Sequence, residues 1–207
     1  MFILSFLSDP IKTLGLILGL LIAIDVHEFM HAYSANLLGD PTAKSEGRLT
    51  LNPIRHLDPF GTLLLLLAGF GFGRPVPVNP SNFENPRIGE LITSLAGPIS
   101  NIVVAFIIAT VVRFLPQGQL TLILNLIIYI NLVLCAFNLL PIPPLDGSKI
   151  LWAIFPQIDI DRFEQTGVML LFGLFLLSFI TGFSIFGAMI TPIISFLAHI
   201  IGAGNIM

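Results

Sequence analysis

Asp25-Val26-His27-Glu28-Phe29-Met30-His31 closes an uncharged apolar run, and it sets two histidines and two carboxylates where ionisable groups are costly. On a helix, His27 and His31 stand four apart and share a face, so both imidazoles can reach one metal ion, with Glu28 alongside to handle the proton of a water. This is the HExxH pattern of zinc hydrolases. Charged residues are rare inside membrane spans, which makes chance a poor source for it there.

The chain around this segment has 207 residues, 55% hydrophobic and only 10% charged. Its mean hydropathy of +0.96 is far above that of a soluble globule, so an integral membrane protein is expected. The 18 Phe and 18 Gly suit helices that pack closely in lipid. Cys135 is the only cysteine and lies in an apolar run, which excludes an intrachain disulfide and a thiolate metal cluster. The net charge of −3 points away from nucleic acid. Residues 1–10 carry no basic n-region and no clear cleavage site, so they are expected to lie at the interface and not to be a removable signal.

Apolar runs at residues 11–38, 91–115 and 120–140 are long enough to span, the last two joined as a hairpin by Pro116-Gln117-Gly118-Gln119. A further run at 167–201 is interrupted at Thr181-Gly182-Phe183-Ser184, which predicts two short helices with a kink at Pro192. Residues 39–90 are different. Turn and extended signals at Gly47–Pro53 and Pro75–Pro80 flank an apolar run at 62–72, whose eleven residues would cover about 17 Å of a hydrocarbon core of about 30 Å. A small re-entrant, β-containing region is expected. Its two extended segments read either as a covering hairpin or as an edge that pairs with an unwound substrate strand.

Charge supports that topology. With 39–90 beginning and ending on one side, seven basic residues (Lys44, Arg48, Arg55, Arg74, Arg87, Lys149, Arg162) face two (Lys12, Arg113); a crossing at 62–72 gives five against four. The richer side is assigned to the cytosol, with the N-terminus outside.

A catalytic zinc site needs a third protein ligand. Asn138-Leu139-Leu140-Pro141-Ile142-Pro143-Pro144-Leu145-Asp146-Gly147 ends the third span, and its prolines break the helix so that Asp146 can turn inward. Asp146 is the candidate, and the re-entrant topology alone puts it on the side of His31.

HEFMH at 27–31, the N-x2-P-x3-LDG pattern at 138–147, and Ala96-Gly97-Pro98-Ile99-Ser100-Asn101 together resemble the site-2 protease family of intramembrane zinc metalloproteases, peptidase family M50. The resemblance covers residues 11–150, with no PDZ-like or CBS-like insert. It implies one Zn2+ per chain held by His27, His31 and Asp146, Glu28 as general base, Asn138 as an oxyanion donor, and Asn101 as a weaker candidate for the same task. It also implies a single-span membrane protein as substrate. Asn138 has a second reading, in which it satisfies carbonyls freed by the proline break; Asn101 has one as a packing or capping residue. Asp25 falls outside the carried-over motif, and its role stays open between tuning, a helix hydrogen bond and a hydrated cleft. His56 is expected at the interface, and His199 in packing or at the interface.

The expected fold is an all-α polytopic membrane protein with a catalytic core at 11–150 and C-terminal helices at 151–207. The expected function is an intramembrane zinc endopeptidase lodged in the cell membrane. A catalytically silent adaptor and a metal or ion transporter are the rivals; the intact Glu28 argues against the first, and the scarcity of polar residues along spans two and three against the second.

Overall fold

The computed structural model describes residues 9–59, 61, 73–155, 157 and 159–204; the expectations for the N-terminal residues 1–8 and for the apolar run 62–72 lie outside these. Helix α1, Pro10–Leu37, begins where Asp9 accepts from the Lys12 amide and Pro10 takes the first helical position. Helix α2, Pro86–Val112, starts in the same way, with Asn85 accepting from Ile88 N ahead of Pro86. Helix α3, Gln119–Asn138, follows the short turn. These three pack on one another and form the core. Close approach depends on small residues: a Cβ on Gly15 would come within 2.7 Å of Leu126, and one on Gly19 within 3.2 Å of Ile127 and Ile130.

Prolines at 141, 143 and 144 prevent α3 from continuing, and a nine-residue helix, α4 (Asp146–Ile154), starts afresh with Asp146 in its first turn. Helix α5 runs Ile160–Thr181 and ends at Gly182, whose φ of 68° is the left-handed cap conformation. Helix α6, Ile185–Ile200, restarts at Ser184, which caps Gly187 N, and contains Pro192. One apolar cluster joins Ala105 and Ala109 of α2, Ile128 and Leu132 of α3, and Ile194 and Leu197 of α6. A second sets Phe186 of α6 on Leu140, Ile142 and Leu145 beside the proline break.

Among the described residues, four helices are long and apolar enough to cross a membrane: α1, α2, α3 and the Arg162–Thr181 part of α5. Together with the family established below, they make this a multi-pass membrane protein. The two C-terminal helices expected on either side of 181–184 are present, but the first is not short, because α5 starts at Ile160, ahead of the purely apolar run, and so reaches 22 residues.

The β-containing region at 39–90 is also corrected. Among the described residues there is no strand in it, only helical turns at Thr42–Ser45 and Pro53–His56, a 3-10 turn at Pro80–Asn82, and one isolated antiparallel bridge, Leu57 to Gly73. The physical reason lies in the prolines at 75, 77 and 80, which lack the N–H a ladder needs, and in carboxylates that take the amides of Val76 and Asn79. Asp40 is the centre of these. Its carboxylate accepts from Thr42 N at 3.1 Å, Thr42 Oγ1 at 2.5 Å, Asn79 N at 2.8 Å and Asn82 Nδ2 at 2.6 Å. Arg48 donates to Arg74 O at 2.5 Å and Arg74 N to His56 O at 2.8 Å. Residues 73–83 thus form a strap pinned at both ends to the segment after α1.

Candidate metal centre

Four residues of α-helix make slightly more than one turn, so His27 and His31 face the same side of α1, and both are buried. Their Nε2 atoms lie 3.0 Å apart. Asp146, brought in by the break between α3 and α4, places Oδ2 at 3.2 Å from Nε2 of His27 and 3.3 Å from Nε2 of His31.

The partners of the other ring nitrogens make both Nδ1 atoms donors. His31 Nδ1 lies 2.7 Å from the carbonyl of Thr93, which can only accept, so Nδ1 carries the proton. His27 Nδ1 lies 2.7 Å from Asn101 Oδ1. Asn101 in turn donates through Nδ2 to Ala23 O at 2.9 Å and Asn131 Oδ1 at 3.0 Å, and Asn131 donates to Ile127 O at 2.9 Å. This buried chain orients the Asn101 amide and makes His27 a donor at Nδ1. In neutral rings, the form that binds a metal, both Nε2 atoms then present lone pairs to each other and to Asp146 Oδ2, which has no hydrogen-bond partner. Three acceptors converging in this way need a positive charge between them, which a proton or a metal ion supplies.

The set fits zinc. Donors on a tetrahedral ion with bonds of about 2.0 Å stand about 3.3 Å apart, close to the three observed separations of 3.0, 3.2 and 3.3 Å. Gly97 keeps the space open, since a Cβ there would sit 2.5 Å from His31 Nε2 and 2.7 Å from His27 Cε1. Among the described residues, His27, His31 and Asp146 are the group that could hold a metal ion.

Residues 115–180 match the model of peptidase family M50. The chain is 46% identical over 162 residues, 73% of its length and 74% of the relative's, to "Putative zinc metalloprotease YwhC" of Bacillus subtilis (strain 168). It is 33% identical over 138 residues to "Putative zinc metalloprotease Rip2" of Mycobacterium tuberculosis (strain ATCC 25618 / H37Rv), covering 63% of this chain and 53% of that one. It is 34% identical over 136 residues to "Putative zinc metalloprotease MJ0611" of Methanocaldococcus jannaschii, covering 62% and 67%. The chain belongs to peptidase family M50. It is a zinc metalloprotease. No solved structure matches it.

Within this M50 site, a cavity of about 280 Å3 opens beside the triad and is also lined by Glu28 and Asn138. Glu28 is not among the converging donors; its Oε2 accepts from the Val76 amide of the strap at 2.8 Å. Asn138 donates one amide hydrogen to Leu134 O at 3.0 Å, which matches the reading in which it satisfies its own helix, and it keeps a second hydrogen. The expectation that Asn101 donates to an oxyanion does not hold in this geometry. Asn101 is fully buried, and both of its amide hydrogens are spent on Ala23 and Asn131, so it positions His27 and cannot reach a substrate.

Two features escaped the sequence reading. His56 is fully buried, not interfacial: its Nε2 bonds to Thr50 O at 2.8 Å and faces Asp25 Oδ1 at 3.6 Å. Asp25 thus looks toward the segment after α1, away from the metal donors. The second is the strap amide on Glu28. Pro75 and Pro77 leave Val76 as the sole N–H donor of that tripeptide, a signal that proline spacing could have offered.

Proposed function

We propose that this M50 zinc metalloprotease cleaves peptide bonds within or next to the membrane-spanning segment of single-span membrane proteins. The observation that carries the reading is the placement of two histidines, Asp146 and Glu28 around one cavity inside a bundle of span-length helices. Residues 11–150 form the catalytic core in this reading, and 151–207 pack against it.

His27, His31 and Asp146 would hold the zinc. When bound, zinc acidifies a water towards neutrality and polarises the carbonyl under attack. Glu28, on the cavity wall beside these ligands, would serve as the base that takes the proton of the attacking water. The Val76 N–H occupies Oε2 and leaves Oε1 as the basic oxygen, so the carboxylate meets the water in one orientation. Glu28 then returns the proton to the leaving amine. The second N–H of Asn138 is available to donate to the carbonyl oxygen as negative charge gathers there. The substrate helix must unwind locally, because helical carbonyls are already bonded and shielded. The seven-to-two distribution of basic residues favours a site that opens towards the cytosol.

Purified protein incubated with a panel of single-span proteins tests the reading. Cleavage within or beside the span, abolished by a zinc chelator and restored by added zinc, is the expected result. A protein that retains zinc yet cuts none of the panel would make the adaptor reading the better one.

A further inference from the structure

The wall of the catalytic cavity holds two charges that the mechanism does not use. Glu90 on α2 and Lys149 on α4 both line the cavity, and Nζ of Lys149 lies 4.0 Å from Oε1 of Glu90. That is too long for a hydrogen bond. Among the described residues neither side chain makes one, although the Glu90 side chain is only 12% exposed and that of Lys149 only 30%. Thr93, one turn along α2 and on the same cavity wall, has a buried Oγ1 that also lacks a hydrogen-bond partner. Carboxylate lone pairs, ammonium hydrogens and a hydroxyl therefore remain available in a site otherwise lined largely by apolar groups.

The pair is neutral as it stands, and this restricts what it can receive. A charged substrate residue would pair with one member and leave the other without its partner in a half-enclosed cavity, which is unfavourable. A neutral group with a donor and an acceptor side by side can engage both. An amide does this: its N–H donates to Glu90, its C=O accepts from Lys149, and both bonds are charge-assisted. We propose that Glu90 and Lys149 form a subsite for one amide group of the substrate. That amide is either an Asn or Gln side chain or a backbone peptide group of the unwound segment, and the inference rests on the endopeptidase reading above.

The subsite lies close to the scissile bond. Lys149 follows Asp146 by three residues on α4, and Glu90 precedes by three the Thr93 whose carbonyl holds His31. Each is about one helical turn, roughly 5 Å, from a group at the metal centre. An extended substrate advances about 3.3 Å per residue, so the amide recognised belongs to a residue one or two positions from the cut.

The test uses synthetic single-span substrates in two series around the cut: single Leu→Gln and Leu→Asn replacements, and ester analogues in which one peptide N–H becomes oxygen. Wild type is compared with the Glu90→Leu/Lys149→Leu double variant and with the isosteric Glu90→Gln. The wild type is expected to show about a tenfold change in kcat/KM at one position one or two residues from the cut. A gain with the carboxamide identifies a side-chain amide; a loss with the ester identifies the backbone. The double variant keeps zinc and loses that position-specific change, and Glu90→Gln weakens it even if the double variant does not fold. The same profile in wild type and both variants overturns the subsite, as does a preference for an acidic or basic residue at that position. A wild type that retains zinc and cuts no parent substrate overturns the endopeptidase reading itself.

Discussion

At the scale of single residues, the metal centre depends on groups that never touch the metal as much as on those that do. Asp146→Ala removes one of three converging donors and is expected to strip zinc as thoroughly as His31→Ala. Asn101→Ala leaves all three donors but frees the His27 ring, and a loss of zinc affinity of about ten- to a hundredfold is expected. Metal analysis of the purified variants under competing chelator measures both; wild-type affinity in Asn101→Ala would refute its positioning role. The ligands were legible in the sequence because their chemistry is local: two histidines on one helical face, and an aspartate at a proline break. The role of Asn101 was not, because it depends on partners 74, 78 and 30 positions away. The same holds for His56, whose burial comes from tertiary packing that no nearby pattern announces. Asp40 gives a pH prediction outside the spans. Burial pushes its carboxyl up, but hydrogen bonds from Thr42, Asn79 and Asn82 outweigh this and hold it below the usual range. A lowered folded-state pKa stabilises the fold above the unfolded value of about 3.9, and that contribution is lost as pH falls through the folded value. Thermal unfolding in detergent should therefore show Asp40→Asn destabilised at pH 7, with the gap to wild type narrowing towards pH 3; a constant gap would contradict this account.

At the scale of elements, the helices were readable and the segment between α1 and α2 was not. Spans announce themselves by apolar length, and their ends by Asp9-Pro10, Asn85-Pro86, Gly182 and Ser184. Residues 39–90 show extended composition, yet their amides go to Asp40, Glu28 and the His56 carbonyl instead of a ladder. Side chains distant in sequence override local propensity there. The strap that results gives Glu28 its Val76 amide. Val76→Pro removes that donor while Val76→Ala keeps it. The proline variant should retain zinc and lose turnover on the order of ten- to a hundredfold in kcat with little change in KM, through misorientation of the base. Val76→Ala should stay near wild type. Equal losses in the two variants would show that the side chain, not the amide, matters.

For the whole molecule, the described residues pin both ends of the strap to the segment after α1, through the Leu57–Gly73 bridge beside Ile24 of α1 at one end and the Asp40 carboxylate just past Leu37 at the other. The charge distribution favours a topology in which residues 39–90 begin and end on one side of the bilayer. Single cysteines at Ser45 and Ser81, in a Cys135→Ala background, should react with an impermeant thiol reagent from one face of sealed vesicles, the cytosolic one; labelling from opposite faces would end the proposed topology. The central claim is that zinc and Glu28 together hydrolyse a peptide bond at the membrane, and Glu28→Gln separates the two. Since Glu28 stands outside the metal-binding group, the variant is expected to keep one zinc per chain and the wild-type fold. Its cleavage of a single-span substrate should fall by about 10^2- to 10^4-fold, the range for loss of a general base. Cleavage at the wild-type rate, with zinc retained, would contradict the account.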